Sequence, residues 1–115
     1  MKKIHGQSVY GSVIDHQTRC SHYHGELDVI ALKFKCCGHW FACYECHAKS
    51  TDHGAMVWPT SEFGEKAVLC GPCGAQLTVD EYLKCSHRCP ACQSRFNPDC
   101  SKHAHLYFEI STAPA

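Results

Sequence analysis

Two cysteine pairs, Cys70-x2-Cys73 and, after fifteen residues, Cys89-x2-Cys92, leave this chain few ways to fold. A two-residue gap lets both sulfurs of a turn point at one ion, and two such pairs supply the four donors of a tetrahedral zinc site. The separation lies in the range expected for sites of this type. The competing readings are two disulfides or four buried thiols. Compartment bears on that choice. Met1-Lys2-Lys3 begins like a secretory leader, but no apolar run of about 7–15 residues follows. The expectation is therefore a reducing cytoplasm, where thiols stay free for metal. The eleven cysteines are also an odd number, which suits a closed set of disulfides poorly.

A denser constellation precedes these pairs: Cys20-x-His22, Cys36-Cys37, Cys43-x2-Cys46-His47 and, five residues further on, His53. Neighbours such as Cys46 and His47 point in different directions from one backbone, so the set reads as two interleaved sites. Cys20, His22, Cys43 and Cys46 are assigned to one ion, and Cys36, Cys37, His47 and His53 to the other. Exchange of a Cys36 or Cys37 sulfur between the two stays open, as does a role for both as packed core thiols. Over three zinc ions the nine cysteines and three histidines make four ligands each. The CxxCH segment also has the form of a haem attachment motif, but so many neighbouring thiols and no apolar haem pocket speak against it. Cys85, Cys100 and His103 are candidates for an additional or alternate site, or are structural. A three-ligand zinc there, with one position open, is the one place for hydrolysis, and a fourth ion. His5, His16, His24 and His39 read as solvent-exposed or outer donors.

Leu, Ile, Val and Phe together number 21 of 115 residues, low enough to suggest disorder in a strongly charged chain. Eleven basic side chains balance eleven acidic ones here, so the better reading is a folded chain with a weak core that needs staples. The fold class that follows is a small metal-stabilised α+β module of the zinc-finger class. It has short strands and short helices around about three zinc sites and little apolar core. Residues 1–115 form one domain with halves at about 16–54 and 67–108. Neither half can build a core alone, so the two should pack together.

Along the chain, Val9 to Asp15 has a strand signal broken by Gly11, and Leu27 to Lys35 alternates as a clear strand. Ala42 to Lys49 suits a short helix carrying Cys43, Cys46 and His47. Residues 50 to 64 read as a loop, and Ala67 to Leu69 as a strand entering the next pair. Thr78 and Glu81 form a capping box for a helix through Leu83. Leu106, Phe108 and Ile110 alternate as a last strand, and Ser111 to Ala115 is a loose tail.

At these residues the chain resembles a known family. Cys20-Ser21-His22-Tyr23, the strand LDVIALKF, CCGHWFACYECH and Asp52-His53 are similar to the CHY-type zinc finger. So are AVLCGPC, LTVDEYL and CPACQSRFNPDCSKHAHLYFE, and the likeness runs over roughly residues 9 to 109. It implies three zinc ions per CHY region, and it raises the standing of Cys100 and His103, which lie in an FNPxCxxH segment. The family occurs in front of a RING domain in ubiquitin ligases, and in a stand-alone form in fungi and bacteria. The stand-alone form is the better match. In fungi it helps assemble small Tim chaperones in the mitochondrial intermembrane space, acting on the disulfide relay by keeping the sulfhydryl oxidase free of zinc. That implies the intermembrane space as the alternative location.

The first function class is a zinc-organised protein-interaction or chaperone-like module with a protein partner. The alternative is zinc handling or thiol-redox help with an exchangeable site. Nucleic acid is disfavoured. Nine thiolates and three zinc ions bring the balanced chain to a net charge of about −3, whereas a nucleic-acid domain shows a basic face. No stretch has the length of a membrane span. No nucleophile elbow, phosphate loop or Ser/His/Asp pattern marks an enzyme.

Overall fold

His5 and Gly6 both take positive φ (49° and 81°), the geometry of a tight two-residue hairpin turn. They fold Lys2–Ile4 (β1) back on Gln7–Tyr10 (β2), with Ile4 opposite Gln7. The computed structural model describes residues 2–97 and 107–109, and within them the chain builds a six-stranded sheet. Its strand order is β1-β2-β4-β3-β5-β6, where β3 is Ile30–Lys33, β4 Trp40–Phe41, β5 Lys66–Cys70 and β6 Gln76–Thr78. Neighbours are antiparallel except β2 and β4.

The sheet runs through both metal-bearing stretches. Central strand β3 belongs to the first and pairs with β5 of the second, Ile30 opposite Cys70 and Leu32 opposite Val68. Ile30, Ala31 and Leu32 are all buried, so both faces of this strand are covered. The core gathers Val9, Phe34, Phe41, Val68, Leu69, Leu77, Val79, Phe96 and Phe108 with the buried cysteines Cys20, Cys43, Cys46, Cys70 and Cys89. Thiols thus serve as small apolar fillers and as donors at once.

Two short helices close the sheet. Tyr44–Ser50 (α1) packs on β2 and β4, and Val79–Lys84 (α2) on β5 and β6. Thr78 caps α2: its hydroxyl accepts from the Glu81 N–H at 3.0 Å, and the Glu81 carboxylate accepts from the Thr78 N–H at 2.8 Å.

Several elements differ from the sequence-based expectation. The strand expected over Val9 to Asp15 stops at Tyr10, because Gly11 turns out of the sheet at φ 107°. Val13 instead makes an isolated antiparallel bridge with Cys20. The long strand over Leu27 to Lys35 is pairing only from Ile30 to Lys33, since its ends are drawn into turns. The loop over 50 to 64 carries a 3-10 turn at Thr60–Glu62, and β1, β4 and β6 had no counterpart. Of the last expected strand, Phe108 bridges to Trp58 in parallel. Leu106, Ile110 and the tail lie outside the described residues.

Candidate metal centres

Asp15 shapes the first group. Its carboxylate accepts from the Gln17 and Arg19 N–H groups at 2.8 and 3.2 Å and from the Arg19 guanidinium at 2.9 Å. Burial opposes its ionisation, but the Arg19 side chain and these backbone donors outweigh that and hold its pKa below the ordinary value. The turn they fix delivers Cys20 and His22. From the other side come Cys43 and Cys46. Cys43 is the N-cap of α1, its sulfur accepting from the Cys46 N–H at 3.3 Å.

The Cys20 and Cys43 sulfurs stand 3.6 Å apart, and His22 Nδ1 lies 3.4 Å from Cys43 and 3.5 Å from Cys46. A tetrahedron with zinc–sulfur bonds of about 2.3 Å has edges of about 3.8 Å, slightly less toward nitrogen. Those three edges are close to it, and the Cys20 sulfur to His22 Nδ1 edge, at 4.0 Å, is somewhat longer. On its far side His22 Nε2 faces the Glu45 carboxylate at 3.7 Å, beyond hydrogen-bond distance but on the side where a ligand imidazole takes an outer partner.

The third group shows how backbone sets such spacing. Cys70 N–H donates to Ala75 O at 2.9 Å, and Gly74 N–H donates back to Cys70 O at 2.8 Å. The second pair repeats this: Cys89 N–H to Ser94 O and Gln93 N–H to Cys89 O, both 2.8 Å. Gly74 and Gln93 supply the positive φ that each turn needs (81° and 66°). The sulfurs of Cys70 and Cys92 stand 3.7 Å apart, as do those of Cys73 and Cys89. His5 braces the first turn through Nε2 to Gly71 O at 2.7 Å.

The second group hides a third turn of the same pattern, which sequence reading missed. Phe34 N–H donates to His39 O at 3.1 Å, Gly38 N–H donates to Phe34 O at 2.7 Å, and Gly38 has φ 69°. Cys37 therefore holds the position of Cys73 and Cys92, while Phe34 stands where the other turns begin with cysteine. Cys36 supplies the missing sulfur from one step inside the turn. That is how adjacent cysteines serve one site, their sulfurs 3.9 Å apart and Cys36 3.1 Å from His47 Nε2. The displaced Phe34 ring stacks on His47 at 4.2 Å and 16°. The signal was available as the phrase Phe34-Lys35-Cys36-Cys37-Gly38-His39 set beside the other two turns.

Within each set of four the donor atoms lie within 4.8 Å of one another. The sets are Cys20, His22, Cys43, Cys46; Cys36, Cys37, His47, His53; and Cys70, Cys73, Cys89, Cys92. Neither Cys36 nor Cys37 crosses to the first. The thiols in these sets crowd one another's charge. Cys20 is held low by hydrogen bonds from Cys43 and Cys46, which are themselves held high, first of all by Cys20. Burial pushes Cys70, Cys73 and Cys37 up, and burial with the nearby His53 lowers His47. Cys92 sits at about 6: partial burial opposes its ionisation, and hydrogen bonding with Ser94, Cys73 and Cys89 outweighs it. Neighbouring thiolates that cannot all ionise alone, beside a neutral imidazole, are a donor set fitted to a dication.

Cys85 joins none of these sets. Its sulfur donates to Tyr82 O at 3.0 Å and closes the end of α2. Cys100 and His103 lie outside the described residues. His39 stacks on Tyr10 at 5.2 Å. No helix among the described residues is long and apolar enough to cross a membrane.

Three Cys/His quartets hung on one small mixed sheet define a zinc-binding module of the zinc-finger class. The chain belongs to the CHY zinc finger family, whose model matches residues 20–97. Helper of Tim protein 13 of Kluyveromyces lactis is 42% identical over 106 residues, covering 92% of each chain. Helper of Tim protein 13 of Saccharomyces cerevisiae is 40% identical over 105 residues, covering 89% of this chain and 90% of its own length. An uncharacterised Schizosaccharomyces pombe protein is 42% identical over 102 residues, 89% of each. No solved structure matches.

Proposed function

We propose that this chain is a non-enzymatic, zinc-organised module that binds a protein partner and helps its assembly. The twelve grouped cysteines and histidines are its zinc ligands. The observation that carries this reading is the closure of the sets: each of the three offers four donors, which leaves no coordination position for substrate. The metal's work is then to hold a surface in shape. The relatives named Helper of Tim protein support a Tim-type protein as the partner, and with it the mitochondrial intermembrane space rather than the cytoplasm.

The test has two parts. Native mass spectrometry of the reduced chain should find three zinc ions, with loss of at least one on substituting any one set. Calorimetry should then show that a purified Tim protein binds the zinc-loaded chain and not the stripped one. Equal binding by both forms sinks the reading, as does a zinc-dependent hydrolytic activity. A second reading, zinc handling or thiol-redox help, is favoured by the exposure of His53 and Cys92.

A further inference from the structure

The three quartets are not equally enclosed. In the first, Cys20, Cys43 and Cys46 are 0, 3 and 1% exposed, and the His22 side chain is 14% exposed. In the second, Cys36 and Cys37 are half-buried and the His53 side chain is 40% exposed. An open cleft runs beside it, lined by Cys37, His53, Lys49 and Thr51 among others. The third has an exposed member too, Cys92, but it offers four thiolates. The second offers two, with two imidazoles. Thiolate charge holds a dication more strongly than imidazole dipoles do. The second set is therefore the weakest site and the one a competing ligand reaches.

It is also not an independent site. His47 lies on α1, and His53 follows three residues after the helix ends at Ser50. His47 follows Cys46 directly, and its N–H donates to Cys43 O at 3.2 Å. At the helix end the Thr51 hydroxyl and N–H both donate to His47 O, at 2.8 and 3.1 Å. The same hydroxyl meets His53 O at 3.4 Å. So the chain from Cys43 through α1 to Thr51 is what brings His53 round. Seven residues make a helix too short to persist alone in water. Its first turn is pinned by Cys43 and Cys46, both donors of the first set.

We infer that the second quartet is an exchangeable zinc site whose affinity is set by occupancy of the first. Zinc in the first set fixes the start of α1 and so presents His47 and His53 to the second. None of the third set's ligands lies on α1, so the third does not govern it. Linkage makes the effect mutual in free energy, and the deeper burial and third thiolate of the first set make the order of filling one-sided. When the second ion leaves, Cys36 and Cys37 take up protons from solvent, and the sheet and the other two ions remain. The inference rests on the twelve-ligand assignment proposed above and not on the partner.

Cadmium NMR separates the assignment from the inference, because the cadmium resonance moves downfield with each thiolate ligand. Three resonances, for four, three and two sulfurs, are required by the assignment; fewer would overturn both. Given three, stepwise addition of cadmium to the unsubstituted apo chain should produce the two-sulfur signal last. A weak chelator should remove it first, while the other two persist. A two-sulfur signal that appears before the three-sulfur one, or outlasts it, overturns the inference. In Cys20→Ser the second site should weaken about tenfold or more, within the usual range for coupled sites, and the four-sulfur signal should stay. In His53→Ala the two-sulfur signal alone should vanish. Unchanged affinity of the second site in Cys20→Ser also overturns it. If that variant does not fold, the order of filling in the unsubstituted chain decides.

Discussion

Gly11 passes so near Cys46 that a Cβ there would stand 2.4 Å from the Cys46 Cβ and 2.6 Å from its sulfur. Its φ of 107° is also one that a side chain resists. The first quartet therefore depends on a residue that donates nothing to the metal. Gly11→Ala should cost about 1–3 kcal/mol by overpacking, read as a lower urea midpoint of the zinc-loaded chain, and the three-sulfur ion should be lost more readily. Gly54→Ala, where a Cβ meets nothing within 4 Å, is the control and should stay within about 0.5 kcal/mol of the parent. Equal midpoints for the two variants would count against this account of the first site. Asp15 acts on the same site by hydrogen bonding. Its folded pKa lies below the ordinary value, so its contribution is complete above about pH 4 and fades only as pH falls through the folded value. The stability difference between the parent and Asp15→Asn should thus be flat over roughly pH 5.5 to 7.5. A difference that changes within that window contradicts the assigned hydrogen bonds.

The elements show which parts of this fold can be read from sequence. The capping box of α2 was legible because Thr78 and Glu81 stand three apart before an apolar turn, and both bonds form. Thr78→Ala should cost about 1 kcal/mol, measured as a shift in thermal midpoint. Glu81→Gln, which keeps an acceptor for the Thr78 N–H, should cost less. If the two variants are equally stable, the hydroxyl is not what holds the cap. The start of α1 was less legible, since its cap is a cysteine sulfur accepting the Cys46 N–H, and cysteine is not among the residues that ordinarily signal an N-cap. Strands β1, β4 and β6 were not legible: two or three residues each are too few to show a period of two. Position in the sheet, decided by distant partners, makes them strands. The knuckle at Phe34 was missed because one of its two cysteines is replaced by a ring, so spacing rules keyed to cysteine pass over it. The other two knuckles were legible from cysteine spacing alone, because there each turn keeps both of its sulfurs.

At the scale of the molecule, one sheet joins stretches that each look too small to fold. β3 and β5 pair across the middle, and Trp58 ties the connecting segment down by donating its indole N–H to Lys33 O at 2.7 Å. Lys35 lies over the same ring at 5.6 Å and meets Glu62 at 2.6 Å. A structural zinc contributes about 10 kcal/mol or more to folding, against a net stability of about 5–15 kcal/mol for a domain. Losing even two such ions exceeds what the apolar core can hold alone. Trp40 and Trp58, 5 and 7% exposed, sit on β4 and beside β3, so both report on the sheet. A strong chelator under reducing conditions should therefore shift tryptophan emission to the red and remove the far-UV signal together, in one cooperative step. Restoring zinc should reverse it. If the metal count falls to zero while emission and secondary structure stay as they were, the core and not the metal holds this fold, and the quartets would have to be explained by chemistry other than scaffolding.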